Sequence, residues 1–542
     1  MTSLSRLRNF TTLILSATLL YGFFMLTPAA ESETGTAASP SSVLKSRVLF
    51  VLMCQSQAAS FHKQRCDLLR RHIEDQAKEL KVPAGAETPD ISIALAEDLV
   101  DPGIETFFYL PILAGNHTQL TQSDFVFFCH EETRMNLVGL LNQLAQYNSS
   151  KPLFIGSPLR DEGYYIVHHF SQSRHLYPFV YCGFAMSNGL ITSLVEHFQV
   201  NKAKLGEYEF RIDPAYELAS LISIELHLAN LTALSAMCPR SVNLTDSCIT
   251  WTTEMFRLPQ CFPNSSAVSA VLNRTLFAVK THQANFATVL SVVRDTWAKE
   301  APNIIYYADV EDREIPTVAC GVPNTERGHC DKLNRILHLL AESNNVSAQA
   351  TNNADGSDKS NSSSSALFDW FVICDDDTLL SPSRLARLLA CHSLSQPADS
   401  PLVVGEKYGY LSADGWHGYP YPTGGSGFAL NRAALRRLTV EANGAGGIVV
   451  TRCGSAESPD DMSLGVWLRS LSVPIVHSHL LHQAKPVEYS PVLLRAQLPI
   501  SFHKHLDLDP RQAYRDWLLD AGTDAASKLD VGSADDHKRD EL

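Results

Sequence analysis

Residues 368–380 read FDWFVICDDDTLL, an apolar run that stops at three consecutive aspartates, Asp375, Asp376 and Asp377. A short run rich in Phe, Trp, Val and Ile predicts a buried strand. Three adjacent carboxylates at its end repel one another and need a compensating cation. Hard oxygen ligands favour Mg²⁺ or Mn²⁺, and the carboxyl ends of strands are where α/β folds bind ligands. The alternative is an acidic turn without a metal, because Asp is common after strands.

The whole chain has 542 residues, which is too many for one hydrophobic core and predicts two or three domains. Its hydrophobic content of 45% and charged content of 19% are typical of globular proteins. The formal net charge is −14. Because nucleic-acid binding needs a basic surface, we expect no nucleic-acid partner.

The two ends of the chain carry targeting patterns. Arg6 and Arg8 precede an apolar stretch at 10–26 and then small residues, so residues 1–30 are predicted to be a signal peptide. The alternative is an uncleaved type II membrane anchor, because the stretch is only slightly shorter than the ~20 residues of a spanning helix. The chain ends in RDEL, so residues 521–542 are interpreted as an acidic tail with a retrieval signal. We therefore expect a protein of the endoplasmic reticulum lumen that binds a KDEL-type retrieval receptor.

The cysteines and glycosylation sequons agree with a lumenal protein. The 12 cysteines are even in number and form no CxxC pair, which predicts disulfides rather than a zinc site or a thioredoxin-type motif. Sequons of the form N-x-S/T predict surface sites of N-glycosylation. They occur at Asn116, Asn148, Asn230, Asn243, Asn264, Asn273, Asn345 and Asn361.

The chain contains an internal repeat. Segments such as DFVFFCHEETRMNLVGLL and WFVICDDDTLLSPSRLARLL are alike and follow one another in the same order in both copies. The separation of matched residues is nearly constant, which indicates a duplicated domain. It is 245 residues for Cys129 and Cys374, and 244 for Gly183 with Gly427 and for Glu217 with Asp461. We predict an N-terminal half at 46–262 and a C-terminal half at 268–520, with a disordered, Ser- and Asn-rich insertion at 342–365.

The two copies differ in their carboxylates. Where the second has Asp375-Asp376-Asp377, the first has His130-Glu131-Glu132, and Tyr216-Glu217 replaces Asp460-Asp461. We interpret the first copy as degenerate and non-catalytic or altered, a platform for a protein substrate. The alternative is that its His and Glu residues form a second active site.

Two further segments of the second copy carry candidate site residues. Gly424 and Gly425 lie in a glycine-rich turn before a helical run, and such glycines let the backbone approach a ligand closely. Asp460 and Asp461 lie at a predicted helix start, where carboxylates act as caps. For Asp460 we favour capping, and Asp461 is the candidate general base.

The fourth segment of the second copy, VHSHLLH at 476–482, offers imidazole ligands. We expect at least one of His477, His479 and His482 to be structural, and we select His482 as the metal ligand. Mixed His and Asp ligation favours Mn²⁺ over Mg²⁺. Together the segments fit sugar transfer from a nucleotide sugar, with a metal at the diphosphate and a base at the acceptor hydroxyl.

The second copy resembles the Fringe-related family of inverting β-1,3-glycosyltransferases. The shared pieces are RDTW at 294–297, the triple aspartate, the TGGSG turn, PDD at 459–461 and His482. The segments LVVGEKYGY, PDDMSLG, LLHQAKPVEY and PISFHKH are similar to the endoplasmic-reticulum β-1,3-glucosyltransferases that extend O-linked fucose on thrombospondin type 1 repeats. The resemblance spans residues 46–515. It implies an α/β fold with two tandem GT-A (Rossmann-like) glycosyltransferase-type domains, the N-terminal one degenerate.

The resemblance also implies roles for residues. Asp375 and Asp377 with His482 would hold Mn²⁺ or Mg²⁺, and Asp461 would be the base. Donor-binding residues would be Arg294, Lys332, Asp376, Gly424 and Gly425. For Arg294 and Lys332 the alternative, that they are solvated charges on a helix, has equal weight. Cys320 and Cys330 resemble a family disulfide.

The activity implied is transfer of glucose from UDP-glucose, in β-1,3 linkage, to O-fucosylated thrombospondin type 1 repeat proteins. Two alternatives stay open at this point. One is transfer of another UDP-sugar, N-acetylglucosamine or galactose. The other is a non-catalytic lectin or folding factor retained in the endoplasmic reticulum.

Overall fold

The computed structural model describes residues 46–519, with gaps at 56–60, 81–87, 102–103, 116, 162, 164, 169–173, 202–209, 240–246, 253–262, 326–328, 347–367, 412–417, 441–450, 456–457 and 505–506. The predicted signal peptide, the retrieval tail and most of the predicted insertion therefore lie outside the described residues. Within the described ranges, none of the helices combines the length and apolarity that a bilayer-spanning segment needs.

The longest strand described in the N-terminal half has seven residues, RVLFVLM, of which six are buried. Its continuous apolar sequence suits a strand covered on both faces. The strands are β1 (Arg47–Met53), β2 (Asp90–Leu95), β3 (Phe125–His130), β4 (Thr133–Met135), β5 (Phe154–Gly156), β6 (Pro158–Leu159), β7 (Tyr177–Pro178), β8 (Phe184–Ser187), β9 (Phe210–Arg211), β10 (Leu231–Ala233), β11 (Met237–Cys238) and β12 (Thr250–Thr252). The helices are α1 (Phe61–Lys78), α2 (Tyr109–Ala114), α3 (Thr118–Gln122), α4 (Leu137–Leu144), α5 (Asn188–Val200) and α6 (Pro214–Ser220).

The C-terminal half repeats this plan around the strand TLFAVK, whose six residues are all buried. Its strands are β13 (Thr275–Lys280), β14 (Ile304–Ala308), β15 (Thr317–Ala319), β16 (Trp370–Asp375), β17 (Thr378–Leu380), β18 (Val403–Gly405), β19 (Lys407–Tyr410), β20 (Tyr419–Pro422), β21 (Phe428–Asn431), β22 (Ile475–His477) and β23 (Ser501–His503). Its helices are α7 (Ser265–Asn273), α8 (Val289–Asp295), α9 (Cys330–Ser343), α10 (Pro382–Ser395), α11 (Arg432–Thr439), α12 (Asp460–Ser470), α13 (Pro491–Arg495) and α14 (Pro510–Trp517).

The two large sheets share one topology. The first runs β10-β5-β8-β3-β1-β2, and the second runs β22-β18-β21-β16-β13-β14 with β15 added at its edge. Each has a parallel centre, β1 with β2 and β3 or β13 with β14 and β16, followed by one antiparallel strand, β8 or β21. Gly183 and Gly427, which precede those antiparallel strands, both adopt a positive φ, of 81° and 76°. The α/β class is thus confirmed, whereas two tandem GT-A domains stay a prediction.

Backbone and side-chain contacts join the two halves. Strand β9 pairs antiparallel with β19 and extends the β19–β20 hairpin to three strands. The Gln55 side chain accepts from the backbone N–H of His477 at 2.6 Å and donates to its carbonyl at 2.9 Å. Phe61 of α1 is buried in the core that covers one face of the second sheet. The halves therefore share hydrophobic packing as well as hydrogen bonds.

Three disulfides lie among the described residues: Cys54–Cys66, Cys238–Cys248 and Cys330–Cys453. They confirm that the cysteines form disulfides, but the implied pair Cys320–Cys330 is wrong. Cys330 begins α9 and bonds to Cys453, with Cα atoms 5.9 Å apart, while Cys320 is a buried free thiol. Burial raises the pKa of the Cys320 thiol to about 11.

Candidate active site

The triple aspartate lies where the sequence predicts it, at the carboxyl end of a buried strand. The apolar run forms β16, which ends at Asp375, and Asp376 and Asp377 make the turn to β17. One side-chain ligand atom from each of Asp375, Asp377 and His503 lies within 4.8 Å of the other two. Two carboxylates and an imidazole are a suitable donor set for a divalent ion such as Mn²⁺.

His503 contributes the imidazole, and the expectation for His482 is corrected. The His482 ring is buried, stacks on Phe502 with ring centres 5.0 Å apart, and its Nε2 lies 2.9 Å from Nε2 of Gln497. Burial lowers the pKa of His482 to about 3. His482 follows the apolar pair Leu480-Leu481 into the core and lines a small cavity of about 110 Å³, apart from the cleft that the aspartates line. It acts as a packed core residue.

Strand pairing brings His503 to the aspartates. β23 pairs antiparallel with β17, which places His503 opposite Thr378, one residue after Asp377. The ring is fixed from both sides, because Nδ1 lies 3.0 Å from the Gln483 carbonyl and Nε2 lies 3.1 Å from Oδ1 of Asp377. Sequence reasoning noted the segment PISFHKH but did not select this histidine, because the pairing of β23 with β17 has no local signature.

Asp376 turns away from this group into the wall of the cleft. It is buried and accepts hydrogen bonds from Oγ1 of Thr281 at 2.6 Å and from Nδ2 of Asn285 at 3.0 Å. Burial, with a smaller contribution from the neighbouring carboxylates, raises the pKa of Asp376. A carboxyl held by two neutral donors orders the residues around it, so Asp376 fixes the shape of the cleft.

Lys280, which sequence reasoning missed, connects the two acidic segments. It ends β13 and pairs in register with Asp375 of β16. Its buried ammonium lies 2.9 Å from Oδ1 of Asp375 and forms an ion pair with Oδ2 of Asp460. Burial alone would lower the pKa of Lys280, but the two carboxylates outweigh it and raise the pKa. The signal was available, because a lysine at the end of an apolar parallel strand points to the same sheet edge as Asp375.

Asp461 lies in the first turn of α12, beside this ion pair. Its carboxylate accepts from the backbone N–H of Met462 at 2.7 Å, and Asp460 accepts from the N–H of Asp461 at 3.0 Å. Limited access to water and the adjacent Asp460 raise the pKa of Asp461 to about 6. A carboxylate with a pKa just below neutral is ionised at pH 7 and still basic enough to accept a proton, as a general base requires.

The glycine-rich turn packs against the side chains of the site. A Cβ added at Gly424 would lie 3.7 Å from Nζ of Lys280 and 3.9 Å from Cβ of Asp461, so this glycine lies between the two. A Cβ at Gly425 would lie 2.5 Å from Cγ of His503 and nearer still to Nδ1 and Cε1. No real Cβ fits there, and Gly425 is required for the position of the imidazole.

Lys332 lines the same cleft, and Arg294 does not. The Lys332 ammonium is buried and donates to the Thr281 carbonyl and, at 3.3 Å, to Oδ1 of Asn324. Burial lowers the pKa of Lys332. Arg294 is exposed in the last turn of α8 and is not among the residues that line the cleft. The structure therefore favours the solvated alternative for Arg294.

The cleft has a volume of about 590 Å³, within the range of sites that bury small ligands. Its lining combines cationic, neutral polar and acidic side chains from the ends of β13 and β16, the start of α9, and β23. These are Lys280, Thr281, His282, Asn285, Val289, Asn324, Thr325, His329, Lys332, Asp375, Asp376, Asp377 and His503. Cations near the acidic group suit a ligand that carries negative charge.

At the equivalent edge of the N-terminal sheet, the acidic side chains pair with an arginine instead of forming a metal-type cluster. His130 ends β3 as Asp375 ends β16, and Glu131 and Glu132 follow it. The fully buried guanidinium of Arg65, from α1, lies 3.2 Å from Oε1 of Glu131 and 3.0 Å from Oε1 of Glu132. The group of Asp375, Asp377 and His503 is the single metal-type cluster found in the described part of the chain. A built-in cation thus pairs with both carboxylates of the first copy and offsets part of their charge, which does not support a second metal-dependent active site.

All five predicted N-glycosylation sites that the structure describes are on the surface. The asparagines Asn148, Asn230, Asn264, Asn273 and Asn345 are all exposed. Asn116, Asn243 and Asn361 lie outside the described residues. Glycosylation at these positions stays a prediction, with five side chains accessible to it.

Comparisons with known proteins cover most of the chain. Residues 271–521 match the family described as Fringe-like. A Mus musculus protein named β-1,3-glucosyltransferase is 35% identical over 509 residues, which covers 93% of this chain and 93% of that protein. Its Homo sapiens namesake is 36% identical over 483 residues, or 88% and 86% of the two chains. A Gallus gallus β-1,3-N-acetylglucosaminyltransferase, radical fringe, is 25% identical over 245 residues, or 41% and 57%.

Proposed function

The chain belongs to the Fringe-like family of glycosyltransferases, together with the β-1,3-glucosyltransferases, and from this premise we propose a reaction for it. It is a hexosyltransferase that takes glucose from UDP-glucose. The acceptor is fucose O-linked to thrombospondin type 1 repeats, and the new bond is β-1,3. The observation that carries the proposal is the contiguity of the site, because Lys280 contacts both Asp375 of the metal-type cluster and Asp460, the neighbour of the proposed base.

The residues present fit a divalent ion. Asp375, Asp377 and His503 offer two hard oxygens and one imidazole nitrogen within 4.8 Å of one another, a set that suits Mn²⁺, with Mg²⁺ as the alternative. When bound there, such an ion would neutralise charge on the diphosphate of the donor. Lys280 keeps Asp375 and Asp460 close together by balancing their charge, so that these carboxylates do not repel each other apart.

Asp461 accepts the proton of the acceptor hydroxyl. Its pKa of about 6 leaves it ionised at pH 7, and its position in the first turn of α12 points the carboxylate toward the turn that carries Gly424. Removal of the proton makes the hydroxyl oxygen a stronger nucleophile toward the anomeric carbon. A single displacement from the face opposite the nucleotide inverts the configuration at that carbon, and no covalent intermediate with the chain is needed.

The cleft residues bind and orient the donor. Lys332 holds the Thr281 carbonyl and Asn324, and Asp376 holds Thr281 and Asn285, so the wall is one hydrogen-bonded unit. A rigid wall positions a nucleotide without paying for its own ordering on binding. Gly424 and Gly425 let the backbone of the turn approach the donor closely.

The setting of the reaction is the lumen of the endoplasmic reticulum. The RDEL ending, the N-terminal leader pattern and the exposed sequons support this compartment and a KDEL-type receptor as a partner. The disulfides fit the oxidising conditions of that lumen.

A donor panel tests the proposal. Purified protein is incubated with a fucosylated repeat, Mn²⁺ and one of three donors, UDP-glucose, UDP-N-acetylglucosamine or UDP-galactose, and the product is weighed by mass spectrometry. A hexose increment from UDP-glucose alone supports the proposal. Faster transfer of N-acetylglucosamine or galactose would assign a different donor, and binding of the repeat without any transfer would identify a folding factor or lectin. Asp461→Asn with full turnover would contradict the base assignment.

A further inference from the structure

A second cavity, of about 540 Å³, lies at the equivalent edge of the N-terminal sheet. Met53 and His130, the last residues of β1 and β3, line it, just as Lys280 and Asp375 line the active-site cleft. The C-terminal half contributes the opposite wall, including Tyr419 of β20 and His477 of β22. The duplicated fold has therefore kept a ligand-sized cleft in the copy that has lost the aspartates.

The chemistry of this second cavity excludes the ligands of the first. Arg65 already pairs with both Glu131 and Glu132, so a divalent ion at these carboxylates would lie beside a buried guanidinium that repels it. Exposed Glu97 and Asp101 at the rim would repel a diphosphate. A nucleotide sugar is thus disfavoured on both counts.

Two deeply buried polar atoms beside the cavity have no hydrogen-bond partner. They are Oε2 of Glu131 and Nε2 of His62, whose residues are 4% and 2% exposed and both line the cavity. The other ends of the two side chains are paired, because Nδ1 of His62 contacts Oε1 of Glu131. An unpaired buried polar atom costs about 1–3 kcal/mol unless a ligand or water satisfies it. Further hydrogen-bonding groups in the wall are neutral near pH 7, because burial lowers the pKa values of His130 and His479 to about 4.

Aromatic rings complete the lining. Tyr181 lies against His479 with ring centres 4.3 Å apart, and Phe107 lies against His477 at 4.3 Å. The cavity thus combines flat apolar rings with hydrogen-bonding oxygens and nitrogens. Both cations of its lining have partners, because Lys407 is paired with Glu105 at 3.0 Å and Arg469 donates to the Gly418 carbonyl. Rings of this kind pack on the C–H face of a sugar, and the polar atoms bind its hydroxyls.

We propose that this second cavity binds an uncharged saccharide, so that the N-terminal half is a glycan-binding module attached to the transferase. The site stands on the residues of the cavity and not on the transfer reaction. A module of this kind holds a glycosylated protein on the enzyme while the active site works on another part of it, which raises the effective concentration of the acceptor. The choice of probe below, and only that, rests on the proposed function.

The experiment measures binding of the disaccharide glucosyl-β-1,3-fucose to the full chain by saturation-transfer NMR, with UDP and Mn²⁺ present to fill the donor side of the active site, and the part of the signal that Thr106→Trp removes is assigned to the second cavity. Thr106→Trp fills the cavity from a half-buried position that makes no part of the Arg65 ion pairs. Val200→Trp, at a position that is 82% exposed on α5, is the matched control. Glu131→Gln is a second variant, and its folding is checked by thermal melting because it also weakens the pair with Arg65.

We expect saturable binding that Thr106→Trp weakens by about tenfold or more and Val200→Trp leaves unchanged. The rate of transfer to a short fucoside should stay within about twofold in both variants, because neither residue touches the active site. Three results would each overturn the proposal. The first is equal binding of the disaccharide by wild type and Thr106→Trp, and the second is binding that does not saturate up to about 20 mM disaccharide. The third is preferential binding of a lysine-rich peptide that high salt abolishes. A wild-type protein that binds the disaccharide but transfers no glucose would instead count against the proposed reaction.

Discussion

Replacement of Gly425 by alanine should disable the metal-type cluster although none of its three side chains is replaced. The added methyl group would lie 2.5 Å from Cγ of His503, whereas carbon atoms in good contact are about 3.5–4.0 Å apart. The ring must therefore move by about 1 Å or more. It is held at 3.1 Å from Asp377 and 3.0 Å from the Gln483 carbonyl, so the movement breaks at least one of these contacts.

The size of the effect follows from two terms. Overpacking in a buried position costs about 1–3 kcal/mol of stability. Misplacing a ligand or its support by this distance typically weakens metal binding by about 10–100-fold. We therefore expect the Gly425→Ala enzyme to need at least about tenfold more Mn²⁺ for half-maximal activity and to recover part of its rate at saturating metal.

The assay is UDP release as a function of Mn²⁺ concentration, with thermal melting as the check on folding. Gly424→Ala is the matched control, because its methyl group would meet Nζ of Lys280 at 3.7 Å and Oδ1 of Asp460 at 3.8 Å, which are ordinary contact distances. A Mn²⁺ requirement in Gly425→Ala equal to that of wild type would refute the assignment of His503 to the cluster.

Three further outcomes are expected. The kcat/KM for transfer should fall about tenfold per pH unit below pH 6, because the raised pKa of Asp461 leaves this base protonated and inactive there. The Asp461→Asn variant should lose about 10²–10⁴-fold in kcat at pH 7. Lys280→Met should lower the free energy of unfolding in urea, with metal removed by a chelator, by about 3–5 kcal/mol, because two carboxylates lose their buried cation. Cys453→Ser should lower the same quantity by about 2–5 kcal/mol, because it opens a loop of 123 residues.

Each of these outcomes has its own control. For Asp461 the acid limb should disappear from the residual activity of Asp461→Asn, and a limb that persists would assign the titration to another group. Lys280→Arg keeps the charge and should retain more stability than Lys280→Met; equal losses would mean that the ion pair contributes little. Cys320→Ala removes a free buried thiol and should cost less than Cys453→Ser. A larger cost for Cys320→Ala would contradict the disulfide assignment.

The parts of the fold that depend on local apolar patterns could be predicted from the sequence. The run at 368–374 became β16, and the repeat found from constant separations became two sheets of one topology. The contacts between the halves could not be predicted, because β9 is a strand of two residues and the exchange between Gln55 and His477 joins positions 422 residues apart. Nothing in either local sequence distinguishes them from an ordinary loop.

The candidate site was predictable where the chemistry is concentrated in one segment. The triple aspartate, Asp461 and Lys332 all lie at the sheet edge that the sequence indicated. His503 was missed in favour of His482 because both histidines are buried, and only the pairing of β23 with β17 brings one of them to the aspartates. The disulfide of Cys330 was misassigned for a related reason, since its partner comes from a distant part of the chain that only tertiary packing brings near.

The strand that the N-terminal half lends to the β19–β20 hairpin has a practical consequence for anyone who cuts the chain. Without β9, the backbone amides and carbonyls of Gly409 and Tyr410 that face Arg211 and Phe210 would be left at an open sheet edge. Such edges recruit other copies of the same edge, so a truncated transferase would tend to self-associate even if its own core were intact. The C-terminal half is best expressed together with the N-terminal half, and variants should be compared within the full-length chain.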